Sequence, residues 1–529
     1  MALVPPESDT LNVNVQSQPY TPESDPEQAV STSEDRASPD AFEPPCSFFT
    51  SPEKRWISSL AAFGAMFSTL SSYIYFPALV PMAQDLGVSV TLINLTVTSY
   101  LIVAGVAPAF MGDLADQGGR RPAYILMFVL VVASNIGLAL QDHYIALFVL
   151  RMVQSAGASG SYGAAYGIIA DITTVTERGG YVGSLILSTN AAPSFGPVIA
   201  GILAQKLGWR SIFWFLVILT GIYLIFVILL LPETQRKVVG NGSIPPKGIH
   251  KSLFYSFIKN WRTITPSLPA TPVVKENTSN PKRRNCRFPN PFKCIPMLFK
   301  KGNFTVILIG SITYTVKMTL QTSLAAQCID IYKLDYLQAG LTYLPSGVGG
   351  AIASYITGKF LDRNMKKESA RQGRDDCYRR GEDISDFPIE ETRLRGIYTL
   401  IVISSVGTAA YGISLMKQAH LAVPLVMQFL TGATTSSIFT LCGTLLTDLN
   451  PHASATVQAS YNLVRCIAAG IGIAVQQPLA DTAGSGWCFG IFSIIMLLAA
   501  PLAVVTRTRG MSWRKKFRHA VSSSEKVTS

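Results

Sequence analysis

The sequence predicts an all-α membrane protein: twelve transmembrane helices in two bundles of six, with both termini in the cytosol. Three observations carry the prediction. A chain of 529 residues with a mean hydropathy of +0.31, 48% apolar residues and 14% charged ones is too oily for a soluble enzyme of that length. Windows of about 20 residues almost free of charge, each long enough for a hydrocarbon core of ~30 Å, recur along it. The two halves carry related charged turns at matching places. Helices are required because a lipid-exposed backbone must satisfy its own hydrogen bonds, and the runs are too long and too uniformly apolar for barrel strands.

Residues 1–54 come first and read as a disordered cytosolic tail. Their run "PYTPESDPEQAVSTSEDRASPD" is polar and acidic, buries too little apolar surface to fold alone, and does not resemble a secretory signal. Spans are expected at 57–80, 92–111, 122–141, 144–171, 180–206 and 211–231, which makes 55–232 the first bundle. Residues 233–302, rich in Pro, Asn and Lys ("NPKRRNCRFPNPFK"), read as a basic cytosolic linker. Spans at 303–328, 338–361, 395–416, 420–449, 454–478 and 484–506 make 303–508 the second bundle, and 509–529 is a basic cytosolic tail. The fourth, fifth, tenth and eleventh spans run long, so tilt or cytosolic extension is expected there.

The net charge of +12 is placed rather than spread. With a cytosolic N-terminus, Lys54, Arg55, Arg120, Arg121, Arg178, the linker, the 362–395 loop and the tail "RTRGMSWRKKFRH" all fall inside. Outside are Lys206, Arg210, Lys333 and Lys417. This is the positive-inside pattern, and it makes the bilayer, not nucleic acid, the partner of the basic charge. The eight Cys residues show no C-x-x-C spacing, so neither a disulfide framework nor a zinc site is expected. Five scattered His residues without an H-E-x-x-H pattern give no catalytic cluster, and the glycines inside spans do not follow strands as a phosphate loop would. No enzyme activity, metal or cofactor is expected.

Between the second and third spans lies "GDLADQGGRRP", Gly112 to Pro122, with two Asp and two Arg in eleven residues. The second half echoes it in "GKFLDRNMKK", where Gly358 precedes Asp362 as Gly112 precedes Asp116. Glycines at 112, 118 and 119 would permit a tight turn. Asp116 could pair with Arg120, Arg121 or a helix N-terminus of the other bundle, forming a contact present in one of two rocking states.

This loop resembles the signature of the major facilitator superfamily, Gly-x-Leu-Ala-Asp-x-x-Gly-Arg-Arg. The resemblance implies that Gly112, Asp116, Gly119, Arg120 and Arg121, with Asp362 as the echo, form a gate latch in an alternating-access transporter. Further stretches are similar to the fungal twelve-span drug:proton antiporters, whose members export drugs, polyamines and organic acids such as citrate. "LRMVQSAGASG" resembles the Arg-x-x-Gln motif of their fourth helix through Arg151 and Gln154, with Ser155 in place of the usual glycine. "AAPSFGPVIAGIL" resembles the fifth-helix antiporter motif through Gly196, Pro197 and Gly201, with Ala192 and Ala200 where glycines are usual. "ADITTVTERGGYVG", "GLTYLPSGVGG", "FPIEETRLRG" and "SATVQASYNLVRC" are also similar, so the likeness runs from about Trp56 to Thr506. For the span glycines Gly157, Gly160, Gly163, Gly167 and Gly196, close helix packing is the preferred explanation.

Charges inside the spans separate the substrate classes, because each costs a few kcal/mol or more unless it has a lumen or a partner. Arg151 lies about 10 Å from the outer end of the fourth span, Lys317 about 20 Å from the inner end of the seventh and Arg465 about 15 Å along the eleventh. No Asp or Glu falls mid-span. A cavity holding Lys317 and Arg465 favours a carboxylate or other anion, whereas the family likeness favours a lipophilic drug. Both readings stay open. Asn190 and Gln321 join the two cations as expected substrate contacts, with Tyr73, Tyr162, Tyr314 and Gln428 as further polar or aromatic candidates. Coupling to protons would run through Arg151 and Asp171, or through Lys317 itself. The expectation is therefore a monomeric exporter of a small organic compound, an acid or a secondary metabolite, exchanging it for protons. Efflux of lipophilic cations and import of a nutrient are the alternatives, and the plasma membrane is preferred over a vacuolar or vesicle membrane.

Overall fold

The computed structural model describes residues 49–173, 178–239, 248–252, 295–372, 387–450 and 454–528. The predicted tail up to residue 48 and most of the predicted linker lie outside the described residues. Every regular element among the described residues is helical. The long ones are α1 (Ser51–Tyr73), α2 (Val90–Gly118), α3 (Arg120–Leu140), α4 (Tyr144–Ile172), α5 (Arg178–Leu207), α6 (Arg210–Leu230), α7 (Lys301–Tyr332), α8 (Leu344–Arg371), α9 (Ile397–Met416), α10 (Ala422–Leu449), α11 (Ser454–Leu497) and α12 (Ala499–Thr528).

Local chemistry sets several of their ends. Thr50 and Glu53 form a capping box at the start of α1, where the Thr50 N–H donates to Glu53 at 2.8 Å and Pro52 occupies the first turn. Ser89 caps α2 by accepting from the Leu92 N–H. Gly119, at φ +103°, separates α2 from α3 in a conformation that L side chains rarely adopt. A single glycine also marks the bend inside α11, Gly484 at φ +83°. The predicted gap at 479–483 is therefore helical, and the chain turns one residue later.

Eight stretches among the described residues are helical, long and apolar enough to cross a membrane. One of them, Thr456–Lys516, runs over two of the predicted spans. Helices α4, α7 and α8 fall short by composition rather than length, being rich in Gly, Ser and Thr. Several hydroxyls of α7 are satisfied within the helix: Thr313, Thr315 and Thr322 donate to carbonyls four residues back at 2.8–2.9 Å. Such back-bonding lets a polar helix sit among apolar ones.

Packing repeats between the halves. In the first, α1 packs on α4 and α5, α4 also on α2 and α3, and α3 on α6. In the second, α7 packs on α10 and α11, α10 also on α8 and α9, and α9 on the part of α11 beyond the Gly484 bend, which stands where α6 does in the first half. The halves join through α2 against α11 and α5 against α8. Those two seams are equivalent under the repeat, as a pseudo-two-fold requires.

Candidate transport site

Both ends of the helices carry ion pairs: at one, Arg210 bridges Asp85 at 2.6 Å and Asp142 at 2.7 Å, while the other, the charged end, holds the larger cluster. The Arg120 guanidinium, mostly buried, bonds Asp116 and reaches Asp171, at the end of α4, with Nε 2.9 Å from the carboxylate. Gly167 makes room for it, since a Cβ there would lie 2.5 Å from the guanidinium carbon. Arg121 donates to the carbonyls of Ile249 and Ile228. Glu233, just past α6, is buried and accepts from the backbone N–H groups of Arg120 at 2.9 Å, Arg121 at 3.4 Å, and Thr234 and Gln235 at 3.0 Å. It is a carboxylate on the exposed N–H groups that open α3, where the helix dipole favours negative charge. His250 Nδ1 lies 2.9 Å from the same carboxylate. A Cβ on Gly119 would lie 2.6 Å from it, so the predicted turn glycine also has a packing role. Gly112 does not make the turn: it sits inside α2 with open space beside it.

The second half does not copy this loop at Asp362. Helix α8 continues to Arg371, because the residues after Asp362 are helix formers and no glycine pair stops it. Asp362 is left exposed on the helix, with no ion pair to it among the described residues. Ion pairs seen there among the described residues are Arg393 with Asp448 at the end of α10, 2.8 Å, Glu390 with Arg514, 2.8 Å, and Glu391 with Arg507, 2.6 Å. Burial pushes the Glu390 carboxyl above its ordinary range, and the Arg514 guanidinium pulls against that. Glu390 and Arg393 fall in the family-like stretch "FPIEETRLRG", but nothing in the sequence marks their partners or Glu233, because those partners lie far along the chain.

Arg151 is 1% exposed, and among the described residues no ion pair to it is seen. Its guanidinium lies between two rings, 3.9 Å from the centre of Tyr75 and 4.2 Å from that of Tyr100. Nη1 donates to Gln154 at 2.5 Å and to the Ser71 carbonyl at 3.2 Å, while Nε and Nη2 have no hydrogen-bond partner among the described residues. Gln154 passes the chain on to Asn135 at 2.7 Å. The ring faces replace the missing acid. Asp171 is on the same helix but about 20 residues away, so about 30 Å at ~1.5 Å per residue. The two predicted coupling residues are not brought together, and Asp171 belongs to the charged end.

Mid-molecule, both halves line a narrow cleft: Tyr73 and Pro193 from the first, Lys317, Gln321, Ser346 and Ser436 from the second. Lys317 Nζ reaches Ser436 Oγ at 3.4 Å, and Gln321 Nε2 reaches Ser346 Oγ at 2.8 Å. Gln321 Nε2 also lies 3.4 Å from Gln428 Oε1. Arg465 is near enough for its charge to act on Lys317. It packs over Tyr314 at 4.8 Å, Phe439 at 5.0 Å and Tyr461 at 5.7 Å, and donates to Asn462 at 2.7 and 3.1 Å. Of the predicted substrate contacts, Lys317 and Gln321 line the cleft and Arg465 flanks it. Tyr162 is near enough to Arg465 to interact with it, and its hydroxyl also lies 3.4 Å from that of Tyr166. Asn190 is on α5, and its side chain lies outside the described ones.

Beyond the cleft, away from the charged end, the halves close on each other. Phe76 stacks on Tyr343, 6.2 Å between centroids at 10°, and the Tyr336 N–H donates to Gln205 at 3.0 Å. Of the predicted antiporter-motif residues, Pro197 and Gly201 lie on this seam. A Cβ on Gly201 would be 2.5 Å from the Tyr336 carbonyl oxygen, and one on Gly340 2.5 Å from that of Pro197. Gly196 faces Leu70 within its own half. The other seam is held by Asn462 Nδ2 on the Ala104 carbonyl, 2.9 Å, and Thr98 Oγ1 on that of Gly470, 3.1 Å.

The family model of the Major Facilitator Superfamily matches residues 61–372. The chain belongs to the Major Facilitator Superfamily. Among its relatives are MFS-type transporter phiD of a fungal species, 36% identical over 89% of this chain and 71% of the relative, and Citrate exporter 1 of Aspergillus niger, 36% identical over 89% and 88%. A D-xylose-proton symporter shares the fold, with a TM-score of 0.58 at 14% identity over 85% of this chain and 96% of that one. A Major Facilitator Superfamily chain is an integral membrane transporter, and these helices are built accordingly.

Proposed function

We propose that the chain exports a small organic anion, a di- or tricarboxylic acid by preference, in exchange for protons. Twelve spans would form two bundles, 55–232 and 303–508, rocking about the cleft with both termini cytosolic, the protein acting as a monomer in the plasma membrane. One observation carries the substrate class: Lys317 and Arg465 stand at a mid-molecule cleft whose lining includes no Asp or Glu. An uncompensated pair of cations at that depth is costly unless an anion visits it. The likeness to Citrate exporter 1 of Aspergillus niger supports an acid. In this orientation the charged end faces the cytosol and the Phe76–Tyr343 end faces out, so the conformation is closed outside. Asp116, Arg120 and Arg121 act at the gate with Glu233 and Asp171, while Asp362 has no part in it.

A second reading, efflux of a lipophilic compound, is favoured by the rings of Tyr314, Phe439 and Tyr461 around Arg465. Liposome efflux of radiolabelled citrate and of a cationic dye, with and without an imposed proton gradient, tests both. Gradient-driven citrate efflux that disappears in Lys317→Ala supports the anion exporter. Dye efflux indifferent to Lys317 overturns it in favour of the second reading.

A further inference from the structure

Apart from the transport path, α1 and α6 enclose a groove on their membrane-facing side. Its walls run from Pro52 to Phe63 on α1 and from Leu219 to Leu230 on α6. Each covers about 11 residues, so about 16 Å at ~1.5 Å per residue. That is half of a hydrocarbon core of ~30 Å, the depth of one leaflet.

Apart from Ser59, the groove is apolar and open along this depth: Phe63 is 41% exposed, Ile222 50% and Phe226 47%. Tyr223, in its floor, turns its hydroxyl inward to the Leu60 carbonyl at 2.9 Å, so no polar group is offered there. The one charged lining residue is Arg55, exposed at the mouth beside Trp56. An aromatic ring next to a basic side chain is what the headgroup boundary favours.

We propose that the groove binds one anionic phospholipid, its acyl chain laid between Phe63 and Phe226 and its phosphate on Arg55. The charge sits at one end of an apolar slot of leaflet depth, which matches a lipid with a single negative headgroup. A second protein copy would need no such asymmetry. The mouth lies at the charged end of the helices, so the lipid belongs to the leaflet bordering Arg120 and Asp171. The proposal does not depend on the substrate.

The test uses the full chain, purified in detergent and titrated with phosphatidylglycerol or phosphatidylcholine, read by thermal midpoint and by native mass spectrometry. In the wild type, phosphatidylglycerol should raise the midpoint at lower concentration than phosphatidylcholine and leave one retained adduct. Arg55→Gln should weaken the phosphatidylglycerol response about five-fold, the factor implied by ~1 kcal/mol per basic residue at a membrane surface. Ser59→Trp, which fills the slot from an exposed position on α1, should abolish the adduct. An Arg55→Gln protein that responds like wild type overturns the proposal, as does equal response to the two lipids. A change in dimer fraction with Ser59→Trp would assign the face to a second copy instead. If Ser59→Trp does not fold, Arg55→Gln alone decides the matter.

Discussion

Arg393 Nε stands 2.8 Å from the Asp448 carboxylate, and Arg120 Nε stands 2.9 Å from that of Asp171. In each half the acid ends the helix that packs against most others, α4 or α10, and the arginine lies at or just before α3 or α9. The surroundings differ in sign. In the first half an acid beyond α6, Glu233, sits on the N–H groups of Arg120 and Arg121; in the second, bases on α12, Arg507 and Arg514, take Glu391 and Glu390. The two halves share the central pair and differ in the sign of the charges beside it.

If the central pair holds the second half at the charged end, Arg393→Gln and Asp448→Asn should each lower transport and thermal stability, and the double variant should lose less than the sum. A coupling of about 1–3 kcal/mol is expected for a close, partly buried pair. Melting curves of the four proteins of the cycle measure it. Losses that add within about 0.5 kcal/mol would mean that the contact does not act as a pair. Asp362→Asn, by contrast, should leave both transport and melting unchanged.

Arg151 has two rings where an acid is usual, so its replacement by lysine is not conservative. The planar guanidinium spreads its charge over both Tyr75 and Tyr100, and an ammonium cannot lie flat between them. Losing ~1–2 kcal/mol of ring contact should cut the transport rate of Arg151→Lys roughly ten-fold while the protein still inserts and folds. Initial rates in liposomes, with surface-exposed protein quantified, check it. Wild-type rates in Arg151→Lys would show that only the charge matters.

The helical fold and the membrane class were legible because composition and span length report directly on solvent, and the family loop from Gly112 to Arg121 is local. The cleft was half legible. Lys317 and Arg465 stand out as charges in apolar runs, but their aromatic and hydroxyl neighbours, Tyr461 and Ser436, look like ordinary helix residues until α7, α10 and α11 are packed. The charged end was least legible. Asp362 copied the spacing of Asp116 without the helix stop, while Glu233 and Arg393 gained their partners, 113 and 55 residues away, only through folding.

Lys317 and Arg465 are predicted to contribute differently. Among the described residues Lys317 makes one hydrogen bond, to Ser436 at 3.4 Å, whereas Arg465 is already clasped by Asn462 and three rings. A charge-assisted hydrogen bond is worth ~1.5–3 kcal/mol. Lys317→Met should therefore weaken binding of a tricarboxylate at least about ten-fold with little change in melting. Arg465→Gln should weaken binding and also lower the melting temperature, because the cage loses its centre. Ligand titration by intrinsic fluorescence, beside melting curves, separates the two. Equal behaviour of the variants would place both cations in one role.

The seam away from the charged end makes the sharpest prediction about the transport cycle. At Gly201 and Gly340 an added methyl group would lie 2.5 Å from a backbone oxygen of the other half, Tyr336 or Pro197. Backbone cannot swing aside like a flexible side chain, so the clash is relieved by parting α5 from the Tyr336–Leu341 helix. Gly201→Ala and Gly340→Ala should destabilise the state described here and populate the one open at this end. Disulfide formation between Gln205→Cys and Tyr336→Cys, whose parent side chain and backbone meet at 3.0 Å, reports that population. Cross-linking should slow in both alanine variants, and transport should fall with it. Gly221→Ala is the control, since a methyl group there meets nothing within 4 Å. If all three variants cross-link as fast as the parent pair, the seam yields without opening and these glycines serve packing alone.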